Sequence, residues 1–434
     1  MAQIAPFKAL RFNLDRFPEV ASLLAPPYDV ISEDRRIDLE KAHDRNVVRL
    51  DLPRGEGDQR YQNAASELER WIAEGTLRRD PRPAFYRYEQ TFTFPAGGKT
   101  RVRKGFVAML RLCPVSERVV LPHEHTLSGP KLDRQKLMRA TSAHLSQVFT
   151  LYRDPKAEVD AVFAPFEAKP PALDTATGDG IRHRLWVIED AHAIARVTAL
   201  MAPKQVMIAD GHHRYETMVG LAEELRQPGS APGTDPADFG TVFFGRAEDP
   251  GLLVLPTHRL VNHLDPDLLA GLPERAAPWF DVAPGPELLA EALEKRLLAE
   301  GATQVTFALR RPAGPTLWFR LRGDADLSAL GPPALRGLDV TALHGLLLGP
   351  LLGIDKEAMA RQAFLSYTHD TVEAVGRVVK NEVQGAFLMN ATKTEQVLAA
   401  CEAGFVLPQK STYFEPKLAT GLVMARIRGS GAGL

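Results

Sequence analysis

The chain has 434 residues but little cysteine, little net charge and no long apolar run, and each scarcity excludes a class of protein. Two cysteines, Cys113 and Cys401, cannot build a disulfide framework or a four-cysteine zinc site. They suit a reducing cytoplasm, which is the expected location. The 53 Lys and Arg residues nearly balance 54 Asp and Glu, leaving a formal charge of −1. Charge-driven nucleic-acid binding needs a basic surface, so DNA is not an expected partner. The most apolar stretch, Ala342 to Ile354, holds His344 and Pro350 and falls short of the about 20 apolar residues a membrane helix needs. The N-terminal MAQIAPFKALRFNLDRF has no apolar core before a small-residue cleavage site, so no signal peptide is expected. Common catalytic signatures are missing too: there is no G-x-S-x-G, no H-E-x-x-H, and no G-x-G-x-x-G between a strand and a helix. Gly97-Gly98-Lys99-Thr100 imitates the end of a P-loop, but Thr93 stands where the first glycine belongs and the segment reads as a hairpin turn.

What is present is ordinary globular material, 45% hydrophobic and 25% charged, enough for two or three packed units at roughly 100–200 residues each. Tyr61, Ala64, Ala65, Leu68, Trp71 and Ile72 recur at helical spacing over Gln59 to Leu77. Phe85 to Phe94 and Thr100 to Leu112 read as a hairpin turning at Pro95 to Gly98, and Lys131 to His144 as a polar helix. Leu185 to Ile188 reads as a strand, and Asp190 as N-cap of a helix over Ala191 to Met201. Gln205 to Ala209 reads as a buried strand, followed by a turn and a helix to about Leu225. A composition shift after residue 262 divides the chain into an N-terminal lobe, 1–262, and a C-terminal α+β lobe, 263–434. The expected fold class is α+β, or mixed α/β, in two lobes.

Four segments concentrate chemistry. Asp210-Gly211-His212-His213-Arg214 sits between a strand and a helix. The first helical N–H groups lack intrahelical acceptors there, and the helix dipole adds partial positive charge. Glycine admits a close backbone approach, and His212, His213 and Arg214 add donors, so the turn suits a phosphate. The plainer reading is a structural turn with Asp210 as N-cap. The second segment is Pro122-His123-Glu124-His125-Thr126 with Lys131, Asp133 and Arg134; Glu124 is a candidate general base and the histidines candidate metal or anion ligands. The third is Pro408 to Lys417, in which Lys410, Ser411, Thr412 and Lys417 are phosphate-competent donors. The fourth, Leu255-Pro256-Thr257-His258-Arg259, is short and weakly specific.

APPYDVIS (25–32), LPHEHT with Lys131, Asp133 and Arg134, IADGHHRYET (208–217), LPTHR (255–259) and KSTYFEPK (410–417) resemble, in order, domain of unknown function family 1015. The resemblance spans nearly the whole chain, but the family name carries no activity. More distantly, Asp210 to Arg214 is similar to the phosphate-binding signature of the ParB/sulfiredoxin superfamily, which implies a strand-turn-helix nucleotide site in the first lobe. That superfamily's free serine kinases are the nearest functional analogy. His212 occupies the position of the cysteine that sulfiredoxin chemistry needs, which argues against sulfinic-acid reduction.

The resulting expectation is a nucleotide-dependent phosphotransferase acting on a small hydroxylated metabolite. Gly211, His212, His213 and Arg214 would hold the phosphates of ATP or ADP with Mg2+. Glu124 or Asp210 would accept the hydroxyl proton, and Lys131, Arg134 and Lys410 would neutralise developing charge. The alternatives are a non-catalytic nucleotide-binding regulatory protein and a metal-dependent hydrolase using His123, His125, His212 and His213.

Overall fold

The computed structural model describes residues 1–94, 98–124, 128–226, 230–361 and 363–428. The expected turn at 95–97, His125 and Thr126 lie outside the described residues. The chain forms two compact units: Met1–Pro122, Thr126–Leu252 and Pro416–Leu434 in one, His123–His125 and Leu253–Glu415 in the other. Both are mixed α/β.

The first unit is built on a nine-stranded sheet. In chain order its strands are β1 (Ile4–Ala5), β2 (Phe85–Thr93), β3 (Thr100–Arg111), β4 (Val120–Leu121), β5 (Val148–Tyr152), β6 (Leu173–Ala176), β7 (Arg182–Ile188), β8 (Val206–Asp210) and β9 (Phe239–Arg246). They lie in the order β4-β8-β5-β9-β3-β2-β7-β6, with β1 added to β3. β9 runs parallel to β5 and antiparallel to β3. Its sequence FGTVFFGR is buried through seven of its eight residues, the continuous apolar run expected of a strand covered on both faces. Phe244 stacks on Phe106 of β3 with centroids 5.0 Å apart at the middle of the core.

Helices of this unit include α1 (Gln59–Ala73), α2 (Ser128–Thr141), α3 (Glu158–Glu167), α4 (Ala191–Met201) and α5 (His212–Leu225), and further helical segments cover Glu33–Ala42 and Val48–Asp51. Asp190 caps α4 as its sequence suggests, accepting from the Ala193 N–H at 2.8 Å. α1 stops at Ala73 rather than running to Leu77, because Gly75 turns the chain at φ 69° and Leu77–Arg79 pairs with Leu10–Phe12. α2 stops at Thr141: Ser142 takes φ 48°, and Ala143–His144 pairs with Ala425–Arg426. No helix among the described residues is long and apolar enough to cross a membrane.

The second unit is built on a six-stranded sheet of β10 (His258–Val261), β11 (Phe280–Gly285), β12 (Thr306–Arg310), β13 (Thr316–Leu321), β14 (Leu365–Thr368) and β15 (Gly385–Leu388), in the order β11-β13-β12-β15-β10-β14. All described pairings in it are antiparallel. α6 (Ala290–Glu300) and α7 (Thr371–Val379) cover one side; Leu293, Leu297, Ala374 and Val378 pack on Leu260, Ala308, Trp318 and Leu388. The apolar stretch from Ala342 folds as a widened π turn, Leu343–Leu348, inside a core with Phe280, Phe307 and Phe319.

Candidate functional site

The strand-turn-helix at β8 and α5 owes its geometry to two local features. A bulge interrupts the pairing of β8 with β5: Ile208 faces Thr150, while Asp210 already faces Phe149, so Ala209 is the extra residue. The bulge reverses the alternation and turns the Asp210 side chain away from the face that Ile208 gives to the core. Gly211 follows at φ 90° and is the N-cap of α5, not Asp210. A glycine has no side chain with which to cap the first N–H groups of the helix.

Asp210 serves instead as an ion-pair hub. Its Oδ2 accepts from Arg214 Nη2 at 2.7 Å, and its Oδ1 from Lys417 Nζ at 2.8 Å. Burial pushes this carboxyl upward, but Lys417 and Arg214 outweigh burial and hold it well below the usual carboxylate range. Arg214 is buried, and its Nη1 donates to the Gln147 carbonyl and, at 3.4 Å, to Ser146 Oγ. Burial disfavours its charge; Asp210, Asp29, Tyr28 and Asp51 together more than restore it. Lys417 is held in place through the backbone: Gln90 Nε2 donates to its carbonyl at 2.9 Å, and buried Arg103 donates to the Pro416 carbonyl at 2.6 Å.

Further segments of this unit join the cluster. Arg134 of α2 is buried and forks onto Asp133 Oδ2 at 2.9 and 2.6 Å. Its Nη1 donates to the backbone oxygen and to Oδ1 of Asp51, at 2.8 and 3.0 Å. Its guanidinium lies 4.1 Å from the Tyr28 ring centroid. Burial and Asp29 push the Tyr28 hydroxyl up to about 12, against the pull of Arg214 and Arg134. Asp51 is 3% exposed, and burial raises its carboxyl above the ordinary range despite Arg134 and Arg214. Asp51 Oδ2 has no hydrogen-bond partner among the described residues. Asp51, Arg134, Ser146 and Arg214, with the apolar side chains of Leu137, Met138, Ala143 and Leu145, line a cavity of about 20 Å³, room for one water-sized group.

The structure thus brings Asp210, Gly211, His212, His213, Arg214 and Arg134 into one unit. His212 is buried and contributes to the field on Asp210. Thr217 Oγ1 donates to the His213 carbonyl at 2.7 Å. Lys131 is ion-paired with Glu216 of α5. Glu124 and Lys410 belong to the second unit, where the Lys410 N–H donates to Glu124 Oε2 at 3.1 Å. His123 is also there, buried, with Nε2 2.7 Å from Thr412 Oγ1. Sequence reasoning missed Asp51, which sits in no motif, and it did not rank Lys417 above Lys410. Tyr28 was visible only inside the APPYDVIS segment.

A family model described as "Protein of unknown function (DUF1015)" matches residues 4–341. No curated protein matches the chain. Among solved structures, a conserved hypothetical protein from Pyrococcus furiosus is similar at 16% identity and TM-score 0.34, over 68% of this chain and 87% of its own. A free serine kinase in complex with AMP is similar at 15% identity and TM-score 0.36, over 68% of this chain and 83% of its own. SbnI with a C-terminal truncation, from Staphylococcus aureus, is similar at 9% identity and TM-score 0.36, over 73% of this chain and 86% of its own. Similarity at this level says nothing about the ligand of this chain.

Proposed function

We propose, for a chain that belongs to the DUF1015 family, that its first unit carries the nucleotide site of a cytoplasmic small-molecule phosphotransferase. The observation that carries this reading is the start of α5, where a glycine N-cap at φ 90° adjoins two cations converging on Asp210. Phosphates suit such a helix start, because the dipole and the outward N–H groups favour negative charge. Gly211, His212 and His213 would lie against the phosphates. Lys417 and Arg214 would offset their charge, with Arg214 acting from a fixed, buried position.

Phosphoryl transfer is mainly positioning and charge stabilisation, with a carboxylate to take the acceptor's proton. Asp51 fits that last role better than Asp210, acting through one water in the cavity it lines: among the described residues its Oδ2 is unpartnered and its affinity for a proton is raised, whereas both Asp210 oxygens are on cations. Mg2+ with ATP or ADP is part of the proposal, and the ion would neutralise phosphate charge. Both Asp210 oxygens are on cations, so the phosphates themselves would hold the ion.

One observation favours a second reading. Asp210, the acid nearest the turn, is held ionised and doubly paired, a state suited to binding without chemistry. A nucleotide-binding regulatory protein would need nothing more. Calorimetric titration with ATP and ADP, with and without Mg2+, tests the site itself. Transfer of the terminal phosphate to hydroxylated acceptors separates the enzyme from the sensor.

A further inference from the structure

Among the described residues, no acid balances one buried cation of the second unit. Arg259 lies on β10, paired with Tyr367 on one side and Phe387 on the other, and is 1% exposed. Its Nε donates to His344 Nε2 at 3.2 Å, its Nη1 to the Thr257 carbonyl, and its Nη2 to the Lys410 carbonyl at 2.9 Å. The Tyr367 ring centroid is 5.8 Å away. Each of these partners is neutral. Glu124, the acid bound to Lys410, takes the backbone N–H there, not the guanidinium. Burial accordingly holds the Arg259 guanidinium down to about 10. Buried charges in proteins are normally paired, and an uncompensated one is strongly unfavourable.

The polar groups around Arg259 are also incompletely used. A guanidinium carries five N–H donors, and the three bonds above leave two. Thr257 Oγ1 and His344 Nδ1 are buried and have no hydrogen-bond partner among the described residues. Because His344 Nε2 accepts from Arg259, its proton sits on Nδ1, so the spare atom is a donor. His344 is the second residue of the widened turn Leu343–Leu348, and its carbonyl accepts from the Gly349 N–H at 3.2 Å, five residues on. Such π turns recur at functional sites.

We infer that Thr257 and Arg259 form a second site, for a compact oxyanion: the phosphate or the carboxylate group of a small metabolite. Both groups accept from guanidinium and hydroxyl donors. His344 Nδ1 lies across the ring from the guanidinium, so His344 positions Arg259 and does not touch the anion. An arginine serving structure alone would be satisfied by its three neutral acceptors, and the Thr257 hydroxyl would remain unexplained.

Thermal unfolding of the full chain tests the site, with inorganic phosphate and, separately, acetate raised at constant ionic strength against chloride. Binding to the native state raises the Tm as ligand rises. The expected result is a rise with at least one of the two anions, beyond chloride. The Thr257→Val variant, of the same shape, should need about tenfold more anion. Arg259→Met should abolish the response; it removes an uncompensated charge and is expected to fold. The stronger anion identifies the source, phosphate or carboxylate. Phosphate also has a proposed place at α5, so the titration is repeated in Lys417→Met, where the Arg259 response should persist. No rise with either anion overturns the inference. So does a rise that survives both Thr257→Val and Arg259→Met, and if that rise vanishes in Lys417→Met it belongs to the α5 site alone.

Discussion

The α-carbon of Gly211 lies against the guanidinium of Arg214: a β-carbon built on it would stand 2.9 Å from Nε and 3.0 Å from Cζ. Two constraints therefore meet at one residue, the positive φ and the arginine above it. Gly211→Ala should destabilise the first unit by roughly 1–3 kcal/mol, the cost of a strained φ plus displacement of a buried ion pair. Urea unfolding measures this directly. A loss below a few tenths of a kcal/mol would mean that Arg214 moves aside freely.

Asp210 couples the turn to pH. Its folded-state pKa lies below the unfolded value of about 4. The stability it contributes is therefore complete above the unfolded value and is lost as pH falls through the folded one. Lys417→Met removes one of its two cations. At pH 7 the variant should be less stable by about 1–3 kcal/mol, and the gap to the native protein should stay open at the unfolded value and close only as pH falls well below it, through the folded-state value. Unfolding curves for both proteins from neutral pH down to about pH 2 decide the point. A gap that widens on acidification contradicts the assignment.

Buried neutral histidines act over a higher range. Burial holds His144 and His183 down to about 4, and burial with Arg259 holds His258 down to about 3. His258 Nδ1 accepts from the Met389 N–H at 3.1 Å, so a proton there would set N–H against N–H. The unfolded chain takes up these protons near pH 6.5, before the folded one. Stability is thus full above about pH 7 and falls as pH drops toward 4, by about 1.4 kcal/mol per unit for each histidine. The Tm should fall measurably from pH 7.5 to 5.5, and His258→Gln should lower the slope by about one proton. An unchanged slope would show that His258 is already charged.

What the sequence reveals and what it hides follow the range of the interactions. The β2–β3 hairpin, the capped α4 and the β8–α5 turn are set by neighbours a few residues apart, and each was legible. The ends of α1 and α2 were not, because strand pairing of 77–79 with 10–12 and of 143–144 with 425–426 overrides helical spacing. The site divides in the same way. Asp210 to Arg214 stands out as a motif, but that Arg214 is committed to Asp210 and the Gln147 carbonyl is a tertiary fact. Asp51 is an ordinary aspartate until Arg134 and Arg214 are packed around it. In KSTYFEPK, nothing local says that Lys410 and Lys417 belong to different compact units.

The most direct test of the account is calorimetric titration of the native protein and of Lys417→Met with ADP and with ATP·Mg2+. The account predicts saturable binding to the native protein, weakened about tenfold or more when the lysine beside Asp210 is lost. Affinity that is the same in both proteins, or no binding to either, would contradict it and leave the β8–α5 turn a structural one.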